Sequence, residues 1–317
     1  MPVARARRCR WASGDRFAGG EISCSGTGAE GQDRGMVSFA LQAVPKSAGG
    51  WLDLARGAEE AGFESLYVPD HPGSCAAPFV ALAAAAAVTS RIRLGSYVSN
   101  AGVREPLLLA SDVATLDVVS GGRAVFGLGA GHTPAEWEAV GRVRPDVRGR
   151  IDHCIAVAEA ATRMLTEDGM AEPRPVQQKV PLLIGGGNSR LLRWAAGHAD
   201  LIGLSGLGRT LADGHRHETR WRSDQVDAQI ELCGGKPAEA LVQRFEVTDD
   251  GGAGYSAYAK EVEADEADLI ACPFVLIGTL DEIAAKLRQL ESRWGISRFA
   301  VRPPAIEGVT ALLAAAR

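Results

Sequence analysis

Three stretches of the chain carry residue types suited to chemistry. The first is Ser120-Gly121-Gly122-Arg123-Ala124-Val125-Phe126-Gly127-Leu128-Gly129-Ala130-Gly131-His132, a Gly-Gly turn, a short apolar run and a glycine-rich exit that ends on an imidazole. Glycine at 127, 129 and 131 removes three side chains where the run stops, so a flat or anionic group can approach bare backbone. The second is Leu183-Ile184-Gly185-Gly186-Gly187-Asn188-Ser189, which leads directly into a helical pattern. Glycines ahead of a helix N-terminus expose amide N–H groups to an anion, and the helix dipole adds to the attraction, with Arg190 at hand. The third is Asp70-His71, a polar pair directly after an apolar run, whose imidazole titrates near neutral pH. Two further constellations carry less. His215-Arg216-His217-Glu218 has the residue types of a metal site, but a solvated loop is the expectation there and no metal site is assigned. Arg142, Arg144, Arg148 and Arg150 read as a solvated helix start adjoining the glycine-rich exit.

These residues need elements to position them. Short apolar runs at 38–44, 65–69, 92–98, 124–128, 181–185, 201–204, 241–247 and 298–301 alternate with helical patterns at 50–61, 78–89, 106–118, 147–166, 189–199, 217–233, 256–269 and 280–294. Eight strands alternating with eight helices is the arithmetic of an α/β (β/α)8 TIM barrel. The doubly wound sheet is the alternative, but it places its phosphate fingerprint after the first strand. Here that strand exits into Gln42-Ala43-Val44-Pro45-Lys46. The strand spacing predicts long insertions after strands four and seven, at the face where barrels do chemistry. Gly62 and Gly295 are expected C-caps, and Thr279-Leu280-Asp281-Glu282 and Thr133-Pro134-Ala135-Glu136 expected capping boxes.

Composition narrows the function. A net charge of −5 argues against general nucleic-acid binding, so any site for an anionic cofactor must be local. Six scattered cysteines without a C-x-x-C pair suit reduced thiols in a cytoplasmic protein. The longest apolar run, 79–88, is mostly alanine and too short to span a bilayer, so no membrane role is expected. Residues 1–35 hold many arginines, glycines and serines without apolar periodicity, and read as a disordered extension before a single domain at 36–317.

The string Ser120 to Gly131 resembles the SGGR-x-x-x-G-x-G-x-G signature of the luciferase-like monooxygenase superfamily, and within it the F420-dependent oxidoreductases. The resemblance implies a barrel that binds coenzyme F420 or, alternatively, FMN across its mouth. It implies that Asp70 contacts the ring region and that His71 is an acid/base residue, since hydride transfer at carbon needs a proton moved at the partner atom. It places a non-proline cis peptide at Tyr97–Val98 behind the ring and the Asn100 amide at the ring's polar edge. Gly129 and Gly131 line the ring site, and Gly186 and Gly187, with Asn188 and Ser189, hold the cofactor phosphate. His132 stands where many relatives have Glu or Trp, which argues against a sugar-phosphate substrate and leaves His132 as a second acid/base residue or a wall for the ring. The implied activity is hydride transfer between F420 and a small organic substrate. The alternatives are an FMN-dependent monooxygenase, fed by a separate reductase, and a non-catalytic flavin-binding barrel. A homodimer is what such proteins usually form.

Overall fold

Apolar runs four to six residues long, bounded by turns, become strands covered on both faces. The structure, a computed structural model, describes residues 37–166, 172–211 and 217–315, so the expectation for 1–35 lies outside the described residues. The first half runs β1 (Ser38–Gln42), α1 (Ala48–Ala61), β2 (Ser65–Val68), α2 (Pro78–Ala86), β3 (Arg93–Ser96), β4 (Ser99–Asn100), α3 (Pro106–Ser120), β5 (Ala124–Gly129), α4 (Pro134–Ala139) and α5 (Val147–Met164). Next come β6 (Leu182–Gly185), α6 (Ser189–His198), β7 (Leu201–Leu204), β8 (Leu207–Thr210), β9 (His217–Thr219) and α7 (Ser223–Leu232). The chain closes with β10 (Ala238–Leu241), β11 (Arg244–Val247), α8 (Gly251–Val262), α9 (Glu266–Ala271), β12 (Val275–Gly278), α10 (Leu280–Trp294), β13 (Arg298–Val301) and α11 (Ile306–Ala315).

Eight strands pair in parallel in the order β3-β2-β1-β13-β10-β7-β6-β5, and β5 returns to β3 through Leu94↔Ala124. The sheet is therefore a closed (β/α)8 barrel without free edges. Ala40, Tyr67, Tyr97, Val125, Leu183, Leu241 and Ala300 fill its interior. Residues of opposite parity, among them Leu41, Leu66, Phe126, Ile202 and Phe299, form the larger layer beneath the helices. Long insertions do follow β5 and β10.

Beyond shifts of a few residues at element ends, the sequence reading is corrected at three places. The seventh barrel strand is Ala238–Leu241, not 241–247; Glu239 points into the barrel with only 3% of its surface exposed and breaks the apolar signal. The alternating run Arg244–Val247 instead pairs with Val275–Gly278 in a separate two-stranded parallel sheet. The helix expected at 217–233 starts only at Ser223, because His217–Thr219 pairs antiparallel with β8 as a hairpin. The helix expected at 256–269 is two helices, α8 and α9, with Glu263 at φ 54 ending the first.

Local chemistry explains the punctuation. Gly62 and Gly295 cap α1 and α10 in the left-handed region, and Thr279 and Glu282 form a reciprocal capping box. Thr133 makes no such cap, and Glu136 turns elsewhere. In the Ser-Gly-Gly-Arg turn, Gly121 and Gly122 take φ of 69° and 85°. Arg123 then spreads its guanidinium over the carbonyls of Ala86, Thr89, Ile92 and Ser120, tying the α2 exit to the start of β5. That arginine is a brace at the end of the barrel away from the mouth. The described cysteines, Cys75, Cys154, Cys233 and Cys272, are all free. Among the described residues, no helix is long and apolar enough to cross a membrane.

Candidate active site

The carboxyl ends of the barrel strands carry glycine at one level on three neighbours, in the register Gly129↔Gly185↔Gly203. What occupies the space they leave is the chain itself. β3 and β4 are interrupted by a cis peptide at Tyr97–Val98, as the resemblance implied. A Cβ on Gly129 would lie 2.5 Å from Val98 Cγ2, one on Gly185 2.7 Å from Val98 Cγ1, and one on Gly203 2.3 Å from the Tyr97 hydroxyl. Such contacts are impossible for a real side chain, so the glycines seat Val98 and Tyr97. Gln42 Nε2 donates to the Tyr97 carbonyl at 2.6 Å and fixes the segment. Val98 keeps part of its surface exposed, above the strand ends, as an apolar floor for the mouth. The rims at 127–131 and 185–187 thus open on the same end of one barrel. Gly203, absent from the sequence reading, belongs with them, and only the strand register reveals it.

Two carboxylates organise the polar side of the mouth. Asp70, 2% exposed, accepts from Arg104 Nε at 2.6 Å, Arg104 Nη2 at 2.8 Å and the Asn100 amide at 3.0 Å. Its oxygens are therefore spent on anchoring the Asn100 loop. Glu136, 5% exposed, bridges two residues: its Oε1 lies 2.7 Å from His71 Nδ1, and its Oε2 accepts from Asn100 Nδ2 at 2.6 Å. Asn100 Oδ1 accepts from the Gly102 amide at 2.8 Å, so its side chain is engaged at both ends by the protein. Gly131, at φ 64, is required here, because a Cβ would lie 1.9 Å from Asn100 Oδ1. Sequence reasoning placed Glu136 in a helix cap; only the fold brings it to a residue 65 positions away.

The two expected histidines meet at this rim, with ring centroids 5.6 Å apart. Their environments push them in opposite directions. The hydrogen bond that His71 makes to the Glu136 carboxylate raises the His71 pKa, against the effect of burial. Burial, joined by the imidazoles of His217 and His71, pushes His132 down to about 4. The protonated form of His71 is therefore favoured relative to a free imidazole, while His132 is neutral at neutral pH. His217 is itself a surprise: it was expected in a solvated loop, yet its ring centroid lies 4.7 Å from that of His132. His215 and Arg216 lie outside the described residues. Among the described residues no three His, Cys, Asp or Glu side chains converge as metal ligands.

The basic run is not simply solvated. Arg144 donates to the His132 carbonyl and Arg150 to the Gly131 carbonyl, each at 2.7 Å, so both brace the exit from β5. Arg142 donates to the Gly102 carbonyl at 2.8 Å, and Arg148 alone is well exposed. At β6, the Asn188 side chain caps α6 by accepting from the amides of Arg190 and Leu191. Gly186 donates its amide to the Gly203 carbonyl at 3.0 Å. Among the described residues the amides of Gly187, Asn188 and Ser189 meet no acceptor, which leaves three donors at a helix N-terminus for an anion. An apolar floor over glycine-lined strand ends, with an anion cradle beside it, fits a flat ring joined to a phosphate. A second concavity of about 770 Å³, lined by Gln243, Arg244, Phe245, Leu280, Arg302 and Glu307, opens beside the β10 and β13 ends.

The profile of the luciferase-like monooxygenase family matches residues 30–233. Over 96 residues the chain is 41% identical to the 5,10-methylenetetrahydromethanopterin reductase of Methanopyrus kandleri, covering 30% of this chain and 27% of that one. Over 121 residues it is 35% identical to the 4-hydroxyprotoasukamycin monooxygenase of Streptomyces nodosus subsp. asukaensis, covering 37% and 32%. The chain thus spans about a third or less of either relative's length. In fold it is similar to an F420-dependent secondary alcohol dehydrogenase in complex with an F420–acetone adduct, with TM-score 0.66, 18% identity and coverage of 89% and 99%. It is similar in the same way to the oxygenating constituent of 3,6-diketocamphane monooxygenase of Pseudomonas putida in complex with FMN, with TM-score 0.64, 18% identity and coverage of 88% and 96%.

Proposed function

The chain belongs to the luciferase-like monooxygenase family, whose members are F420- or flavin-dependent oxidoreductases, and on that premise we propose that it passes hydride between coenzyme F420 and an alcohol or carbonyl carbon of a small organic substrate. The observation that carries the proposal is the His71–Glu136 pair beside the Val98 floor. When a carbinol carbon gives up hydride, the proton on its oxygen must leave as well, and a residue able to hold one proton near neutral pH performs that task. Glu136 fixes the His71 tautomer with the proton on Nδ1 and leaves Nε2 for the substrate oxygen. His132, kept neutral, contributes a hydrogen bond rather than an acid. Val98 would back the ring, and the amides of Gly187, Asn188 and Ser189 would take the phosphate. Bound F420 supplies the hydride acceptor or donor at its own carbon.

Support for the cofactor comes from the F420-dependent secondary alcohol dehydrogenase that shares the fold. A second reading, an FMN-dependent monooxygenase served by a separate reductase, draws on the monooxygenase relative and the FMN-bound neighbour. The two readings separate in one assay. With a panel of small secondary alcohols under anaerobic conditions, the first predicts loss of the oxidised F420 absorbance, slowed by about 10²–10⁴-fold in His71→Ala. Substrate oxygenation with reduced FMN and air, without F420 turnover, would install the second reading in its place.

A further inference from the structure

The second concavity carries a cation where it meets the mouth. On β13, Ala300 faces the barrel interior, and Arg302, just past the strand end, lies on the same face at the rim. On the neighbouring strand Leu241 pairs with Ala300, and Gln243 holds the matching place above it. Arg302 and Gln243 both line the concavity of about 770 Å³, and Phe245, Val247, Leu280 and Ala311 give it apolar wall. Gly308 lets α11 close on that wall, because a Cβ there would lie 2.6 Å from Phe245 Cε1 and 2.7 Å from Val247 Cγ2.

Other arginines around the mouth are answered by the protein. Arg104 has Asp70, Arg142 has Glu105 and Arg209 has Glu218. Arg144, Arg150 and Arg220 donate to carbonyls at 2.7 Å, 2.7 Å and 3.0 Å. Arg302 has no carboxylate partner among the described residues. Its acceptors are the Val242 carbonyl and Gln243 Oε1, each 3.4 Å from Nη1, while Nε and Nη2 meet none among those residues. The carboxylates of the concavity are placed elsewhere: Glu246 pairs with Arg244, and Glu307 stands exposed in the first turn of α11. Arg302 is exposed into a concave wall, near Tyr97 and Tyr258, and loss of water there lowers its pKa from the ordinary arginine value. The group stays charged, and a partly desolvated charge without a counter-ion is costly.

We propose that Arg302 receives a carboxylate of the substrate and that the concavity takes the substrate's apolar body. The inference rests on the proposed hydride chemistry and gives its substrate a class, an apolar hydroxy acid or the corresponding oxo acid. The free Nε and Nη2 present the parallel pair of donors that a carboxylate accepts bidentately. β13 lies two strands from β2 with β1 between, so the strand ends leading to Arg302 and His71 are about 10 Å apart. Both side chains reach into that span, which puts the alcohol and the carboxylate close together on the substrate. The redox step itself is unchanged. The carbinol C–H gives hydride to the cofactor, the hydroxyl proton goes to His71, a C=O bond forms, and the carboxylate is neither made nor broken.

The test titrates the full chain, without cofactor, with octanoate, octan-1-ol and octylammonium in a calorimeter. Octanoate should bind at least about tenfold more tightly than the other two, the advantage of charge-assisted hydrogen bonds. Arg302→Gln should bring octanoate down to the level of octan-1-ol, and Phe245→Ala should weaken both octanoate and octan-1-ol. Equal binding of the three probes by the wild type, no octanoate binding, or octanoate binding that Arg302→Gln leaves unchanged overturns the site. The wild-type comparison decides alone if the variants do not fold. Parallel titration with F420 tells the two proposals apart. F420 binding without octanoate selectivity sinks only the substrate class, whereas octanoate selectivity without F420 binding sinks the hydride reading and leaves a carboxylate site.

Discussion

Replacing Glu136 with glutamine tests the organisation of the polar rim with little change of shape. In the wild type, one carboxylate accepts from two donors, His71 Nδ1 at 2.7 Å and Asn100 Nδ2 at 2.6 Å, at a site 5% exposed. A glutamine amide offers one acceptor oxygen and one donor nitrogen, so at low pH, where His71 is protonated on both nitrogens, one of the two donors must face another donor. Leaving a buried donor unpaired costs about 1–3 kcal/mol. For a domain of this size each kcal/mol lowers Tm by about 2–4 °C, so a loss of roughly 2–12 °C is expected in thermal denaturation followed by circular dichroism. The variant should also lower the His71 pKa in an NMR titration, because the hydrogen bond to Glu136 is the first cause of its elevation. The sign of the pH dependence follows. A histidine raised on folding stabilises the protein fully below its unfolded value of about 6.5, and this contribution fades as pH rises through the folded value. The wild type should therefore exceed Glu136→Gln in stability most at pH below 6.5, with the gap narrowing above. An unchanged Tm together with an unchanged His71 titration would refute the bridging role of Glu136.

Other outcomes follow from the same geometry. Arg104→Ala strips the bidentate partner from Asp70 and leaves a buried carboxylate unpaired, so urea denaturation should show a loss of about 3–5 kcal/mol; a loss below 1 kcal/mol would contradict the pairing. Gly129→Ala pushes a methyl against Val98 Cγ2, which should destabilise by about 1–3 kcal/mol and weaken cofactor binding through displacement of the floor; retention of both would show that the seat yields. Lys286, buried against Tyr255 and the Leu269 and Val275 carbonyls, is pushed down to about 8, chiefly by burial. Between there and the free lysine value the unfolded chain binds more protons, so wild-type stability should rise with pH relative to Lys286→Met over about pH 8 to 10.5; parallel profiles would reject this.

Much of the barrel is legible in the chain because a parallel strand buried on both faces must be a short apolar run. β1, β2, β5, β6, β7 and β13 all announce themselves in this way. β10 does not, because Glu239 faces the interior, and a charged residue inside a strand cancels the signal that burial normally leaves. The glycines were visible, but their use was not. Sequence shows that Gly129 and Gly185 lack side chains; only the register shows that Val98 fills the gap between them. The candidate acid/base residues His71 and His132 were found from their places at strand ends. Glu136, Arg104 and His217 were missed because each acts across 34 or more positions of chain, or from a hairpin that local pattern reads as helix. Long-range pairing of this kind leaves no periodicity to detect.

The floor made by Val98 on Gly129 and Gly185, with the amides at the start of α6 beside it, is proposed to receive a deazaflavin ring and its phosphate. Fluorescence titration of the whole protein with F420, and in parallel with FMN, tests this directly. Saturable quenching of F420 in the micromolar range with feeble FMN binding is the predicted result. Tight FMN binding without F420 binding, or no binding of either, would contradict it.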